Sequence, residues 1–274
     1  MLKWKNLQKN NIKTGLFFIL FFYTNILYAQ NIIIIKESKG TAFISGDISP
    51  NEASKRALNE AKINALKAAG IGENIKSFEL LYTSDTGNDY QQFFNSNILS
   101  EMQGGILSYE VVKDTIIKKS ELELYTEVTI NASVIKYETK PDINFDVNIQ
   151  GIKAVYNNNE PLKFNIKTSQ LSFLTIFNIT DTEASVFFPN SYETKNELLP
   201  LVFHHFPSKS LYSLETDLKE REMNRLLLVF TKTYIPFIKM NEDQITSEDA
   251  IFNWIYSIMP DQRNVQYYSL IIQK

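Results

Sequence analysis

The chain contains no cysteine. That absence removes disulfides, cysteine nucleophiles, thiolate metal sites and a cysteine-borne lipid anchor. Stability must therefore come from burial. Histidine is nearly absent too, with only the adjacent pair His204-His205. A catalytic zinc needs about three protein ligands, and neighbouring strand residues point to opposite faces, so the pair reads as surface or rim. No acidic residue precedes Glu37, and no polybasic run follows that would suit anionic lipid. No G-x-S-x-G elbow and no Walker lysine motif occurs. Gly70-Ile71-Gly72 follows a helical pattern instead of opening one, so it reads as a helix stop and not as a phosphate loop. Carboxylates are plentiful, but nothing in the sequence pairs two of them. The expectation is no catalytic residue, no metal ligand and no cofactor.

What is present begins with an export pattern. Lys3, Lys5, Lys9 and Lys13 precede the apolar run Leu16 to Phe22, and Leu27-Tyr28-Ala29 closes the segment with a small residue. This is the order of a secretory signal peptide, with cleavage near Ala29. Retention as an anchor is the rival reading. It is disfavoured because a spanning helix wants about 20 apolar residues and Thr24 and Asn25 interrupt this one. The expected location is the periplasm or an outer-membrane-associated site, with membrane association left open. The remaining chain carries 24 Lys and Arg against 31 Asp and Glu, a net −7. A mildly acidic chain lacks the basic footprint of a nucleic-acid binder. With 44% hydrophobic residues, disorder is not expected.

Length and patterning suggest a signal peptide over 1–29, an α+β module over 30–139 and a β-rich domain over 140–274. Asn31 to Ser45 is β-branched and aromatic and reads as a strand. Ser49-Pro50-Asn51-Glu52 is a capping box with proline at the first helical position. The helix then runs to about Ala69, with Gly70 as its left-handed stop. Ala53, Ala57, Ala61, Ala65, Ala68, Leu58 and Ala69 fall on one face, and Lys55, Arg56, Asn59, Lys62 and Lys67 on the other. A stripe of alanines lets the helix approach a neighbour closely. Further elements are a strand over 77–82, a helix over 90–102, and strands over 106–112 and 121–135, the last alternating with one wet face.

Tyr137 to Asp142 reads as a linker. Short strands follow at 143–149, 152–156, 162–168, 173–179 and 184–188, punctuated by turn residues, as in a sandwich or barrel. Arg225 to Tyr234 contains Leu226-Leu227-Leu228-Val229-Phe230, whose unbroken apolarity predicts burial on both faces. Ser247 caps a helix over 250–259, and 267–272 is a final strand. The fold class is α+β: a small α+β module, then a mostly antiparallel, sandwich-like β module with a C-terminal helix and strand.

Two resemblances attach to these residues. Gly40 with Ala42-Phe43-Ile44, the alanine-rich helix Ala53 to Gly70, Gly104 to Val111 and Tyr125 to Ala132 together resemble the amino-terminal domain of flagellar assembly protein T and related envelope lipoproteins. The family's S-G-x-I-x-x-Y element stands here as Gly105-Ile106-Leu107-Ser108-Tyr109, a loose match. The resemblance implies a small α+β module without known catalysis, and it does not imply a flagellum. From about 145 onward, Leu162 to Thr168, Leu174 to Ile179 and Val186-Phe187-Phe188-Pro189-Asn190 are similar to an uncharacterised carboxy-terminal β-rich domain of bacterial exported and signalling proteins. Its members tend to end in an E-x-x-x-W helix before a last strand, and Glu248 to Trp254 resembles that. Ser172-Phe173 departs from the tyrosine common in the first of those strands. Neither family carries over a substrate or a catalytic residue.

The turn after Phe188 is the one candidate binding feature. Proline and asparagine at a strand end make a turn by default, and Phe188, Pro189, Asn190 and Tyr192 would line its edge. The function expected is that of an exported, non-enzymatic envelope protein acting as an adaptor or assembly factor on an envelope protein partner. A small-ligand or glycan-binding module and a carboxylate-dependent envelope hydrolase are the alternatives.

Overall fold

The computed structural model describes residues 31–45, 48–71, 102–118, 120, 123–180, 183–209, 212–216 and 220–274. The signal peptide expected over 1–29, the strand expected over 77–82 and nearly all of the helix expected over 90–102 lie outside the described residues.

The first sheet has three antiparallel strands in the order β1-β3-β2: β1 Asn31–Ile44, β2 Gly104–Lys118 and β3 Leu124–Lys136. Helix α1, Pro50–Ala68, lies across β1 and β3. Its boundaries follow from local chemistry. The Ser49 hydroxyl accepts from the Glu52 N–H at 3.2 Å, Pro50 occupies the first turn, and Gly70 takes the left-handed conformation at φ 75°. The alanine stripe brings the helix unusually close to the sheet. A Cβ on Gly40 would sit 2.1 Å from the Ala57 carbonyl oxygen and 2.4 Å from the Ala61 nitrogen. The Ser38 hydroxyl donates to the Ala61 carbonyl at 2.8 Å. Two further side chains of α1 occupy the free edge of β1. The Glu60 carboxylate accepts from the Thr41 N–H at 2.6 Å, and the Asn64 amide donates to the Lys39 carbonyl at 2.8 Å. Over Lys39–Thr41 the edge is thus partly covered and is a poor template for another strand there.

The buried arc of α1 differs from the alanine stripe at four positions. Ala68 is exposed, Ile63 and Leu66 are buried, and Lys62 is only 4% exposed. The lysine is tolerated there because a partner from far along the chain neutralises it, as described below.

The rest of the chain forms two more sheets. Strands β4 Val147–Gln150, β6 Phe164–Thr168 and β10 His204–Phe206 pair antiparallel in the order β10-β6-β4. The larger sheet has the order β12-β8-β7-β11-β13-β5, with β9 also on β7. Its strands are β5 Val155–Asn157, β7 Ser172–Ile179, β8 Ala184–Phe188, β9 Glu197–Leu198, β11 Arg221–Thr231, β12 Ile245–Thr246 and β13 Arg263–Gln273. Among the described residues of this sheet, only the β13–β5 pair is parallel. Helix α2, Glu248–Ser257, precedes β13, and the Ser247 hydroxyl accepts from the Ala250 N–H at 3.2 Å. The architecture is α+β with a β-rich body.

Two cores lie on opposite faces of the larger sheet. Leu226, Leu228 and Phe230 of β11 pack with Leu174, Ile176, Leu270 and Ile272 against the small sheet's Phe164, Ile166 and Phe206. Leu227 and Val229 point the other way, into a core that holds Phe177, Trp254 and Tyr256 together with Ile106, Val134 and Leu66. The unbroken apolar run of β11 therefore serves two cores by strict alternation. The second core draws on residues before and after the expected linker. That linker is pinned as well. The Tyr137 hydroxyl donates to the Tyr256 carbonyl at 2.8 Å, and Asp142 accepts from Lys232 at 2.5 Å. Where β2 passes α2, a Cβ on Gly105 would sit 2.4 Å from the Tyr256 ring. Among the described residues, no helix is long and apolar enough to cross a membrane.

Candidate functional site

Strand β8 ends at Phe188, and the chain turns through a cis Phe188–Pro189 bond. Asn190 organises the turn that follows. Its Oδ1 accepts from the N–H groups of Tyr192 and Glu193, each at 3.0 Å. Its amide nitrogen donates to the Phe187 carbonyl at 2.9 Å and to the Tyr212 hydroxyl at 2.8 Å. The Asn190 N–H donates to the Glu193 carbonyl at 3.1 Å. An asparagine side chain that bonds its own backbone two and three residues on is a built-in turn former. Here its amide is fully engaged.

A second Phe-Pro step, Phe206–Pro207, is also cis and lies beside the first. Phe206 stacks on Phe164 at 4.7 Å between ring centroids and meets Phe188 and Tyr212 at 5.3 Å each. Glu193 ties the two steps together. It is 3% exposed, and its Oε1 accepts from both the N–H and the hydroxyl of Ser208. Tyr212 has its pKa raised, by burial first and further by the nearby Glu193 charge, while the hydrogen bond from Asn190 works in the opposite direction.

These segments wall a surface cleft of about 610 Å³. Strand β8 contributes Ser185, Val186 and Phe187, with Glu183 just before it. The turn contributes Asn190 and Tyr192, the returning loop Tyr212 and Ser213, and the turn before β12 Asp243 and Gln244. Gln244 adopts a left-handed backbone at φ 64°, its carbonyl accepts from the Val186 N–H at 2.9 Å, and its side-chain amide reaches the Pro189 carbonyl at 3.4 Å.

The four residues expected at the binding turn thus separate. Phe188 is a core side chain, and Pro189 supplies a carbonyl to the frame. Asn190 forms part of the wall, and Tyr192 stands on the rim, 80% exposed. Sequence reading missed Glu183, Phe187, Tyr212, Asp243 and Gln244. The repeated Phe-Pro step, followed five residues later by Tyr212, was the visible signal for part of this set. Asp243 and Gln244 come from a segment with no local mark.

The other candidates resolve differently. His204 faces Ile166 and His205 faces Asn165 across the small sheet. His204 Nε2 lies 3.0 Å from the Leu199 carbonyl, and His205 Nδ1 lies 2.5 Å from Asn165 Oδ1. Among the described residues, no group of three or more His, Asp or Glu could hold a metal ion. A part-buried polar cluster joins α1, β2 and α2. Lys62 Nζ donates to both Asp249 oxygens at 2.9 and 3.0 Å, the Tyr109 hydroxyl donates to Asp249 at 2.5 Å, and the ammonium lies 4.3 Å from the Tyr109 ring centroid. Burial first, then Asp249, pushes the Tyr109 hydroxyl well above its ordinary pKa. The cluster reads as a tie between elements. No protein-family model matches this chain, and no curated protein matches it.

Proposed function

We propose that the protein is an exported, non-enzymatic component of the cell envelope that acts as an adaptor or assembly factor, holding a partner protein at the cleft beside the Phe188-Pro189-Asn190 turn. Export rests on the lysine-led apolar segment ending at Ala29. The two resemblances, to envelope modules without known catalysis, belong to the same proposal. The observation that carries the binding site is the construction of the cleft. The polar side chain of Asn190 is consumed in fixing the wall, and the large amphipathic Tyr192 is left outward on the rim. Rigid walls with an exposed aromatic suit recognition, because little conformational entropy is lost on contact.

A small-ligand or glycan-binding role is the second reading. It is favoured by the rings of Phe187, Tyr192 and Tyr212 in one cleft. The test is cross-linking in living cells, followed by purification from detergent-solubilised envelope. The adaptor role requires a stoichiometric envelope protein to co-purify. Recovery of the chain alone would contradict it.

A further inference from the structure

We infer that this cleft accepts a basic side chain, Lys or Arg, presented by a segment of the partner protein. The inference rests on the adaptor reading above and names what that partner must offer. The argument runs through the hydrogen-bonding capacity left over in the wall. Asn190 spends its amide on the turn and on Tyr212. The Tyr212 hydroxyl receives Asn190, the Gln244 amide is directed at the Pro189 carbonyl, and the Ser213 hydroxyl donates to Glu215 at 3.2 Å. A neutral polyol would look to amides and hydroxyls, and those named are engaged, which leaves it only the hydroxyls of Ser185 and Tyr192.

Two acceptor-only groups remain. Glu183 and Asp243 both line the cleft, and both are exposed. Among the described residues, no hydrogen bond or ion pair engages either carboxylate. None of the described lining residues is Lys, Arg or His. A site with two free negative charges, no positive one and an aromatic rim selects a cation. The carboxylates supply charge-assisted acceptors, and the faces of Tyr192 and Phe187 supply the quadrupole that attracts ammonium and guanidinium groups. Charge of one sign in a cleft also steers an oppositely charged segment and disfavours acidic ones.

The test uses the exported chain isolated from nitrogen-labelled cells and titrated with a capped Gly-Ser-Arg-Ser-Gly peptide. Its counterpart with citrulline, the uncharged isostere, is the control. The arginine peptide is expected to move the amide signals of Val186, Tyr192 and Gln244, and the citrulline peptide to leave them in place. Combining Glu183→Gln with Asp243→Asn should weaken the arginine peptide about tenfold or more without lowering the melting temperature, because both carboxylates are exposed and unpaired. Raising salt from about 50 to about 500 mM should weaken it too. Equal binding of the citrulline peptide would overturn the inference. So would an N-acetylglucosamine oligomer that moves these signals where the arginine peptide does not. If either happens while cells still yield a cross-linked envelope partner, the adaptor reading stands and only the basic side chain falls. If no partner is captured, the adaptor reading fails on its own evidence.

Discussion

Lys62 of α1 and Asp249 of α2 are 187 residues apart in sequence and meet through two hydrogen bonds of 2.9 and 3.0 Å. The pair is unsymmetrical: the lysine is almost wholly buried, whereas the aspartate side chain is 42% exposed. Removing the carboxylate takes two hydrogen bonds from a buried ammonium and deprives the Tyr109 hydroxyl of its acceptor. Removing the ammonium leaves a carboxylate that water can reach. Asp249→Ala should therefore cost about 2 kcal/mol, below the range for fully buried pairs, and Lys62→Met clearly less. Urea unfolding of both variants measures this. A larger loss in Lys62→Met, which keeps the stem length, would mean that the ammonium's own contacts, the Tyr109 ring included, outweigh the cost of leaving it without the carboxylate.

Gly40 and Gly70 separate steric from conformational need. At Gly40 a methyl group would meet helix backbone, which cannot rotate away. Gly40→Ala should cost about 3 kcal/mol by overpacking. At Gly70 the nearest atom to an added Cβ is the flexible Lys136 Nζ at 3.7 Å, so Gly70→Ala pays only for the left-handed backbone, about 1 kcal/mol. Thermal unfolding of the two variants should rank them in that order.

Asn190→Ala removes one acceptor used by two N–H groups and two donated hydrogen bonds at once. A loss of about 2 kcal/mol is expected, with the Tyr192 rim no longer fixed. Asn190→Asp restores the acceptor but not the donors, so it should recover only part of the loss. Complete recovery by aspartate would mean that the bonds to Phe187 and Tyr212 contribute nothing.

Asp142 gives a pH signature. Its hydrogen bond from Lys232 is the largest cause of a pKa held well below the ordinary aspartate range, with the Asn144 N–H and the Gln170 amide adding to it. A carboxylate whose pKa is depressed on folding stabilises the fold above its unfolded value, about pH 4. That contribution is lost as pH falls through the folded value. Melting temperature should thus fall below about pH 4 more steeply in the parent chain than in Asp142→Asn. Parallel curves would show that the carboxylate does not contribute.

What the sequence made legible follows the range of the interactions. Ser49 with Pro50, and Ser247, mark helix starts because a cap is a contact across three residues. The run Leu226 to Phe230 announces burial on both faces because each residue reports its own surroundings. Strands β9 and β12, two residues each, carry no period to read. Periodicity puts Lys62 on the wet side of α1, because the partner that lets it be buried lies on another element. The cleft was half legible for the same reason. The Phe188-Pro189-Asn190 turn is local, whereas Tyr212, Asp243 and Gln244 reach it through tertiary folding alone.

The most direct test of the account places a photo-reactive phenylalanine analogue at Tyr192 in living cells, with the same group at Ile143 as control. Ile143 is 93% exposed and does not line the cleft. The adaptor account expects one discrete adduct with an envelope protein from position 192 and none from position 143. It also expects that adduct to be lost when Glu183→Gln and Asp243→Asn are introduced together. No adduct at 192, or the same adducts from both positions, would contradict the claim that this cleft is where the protein holds its partner.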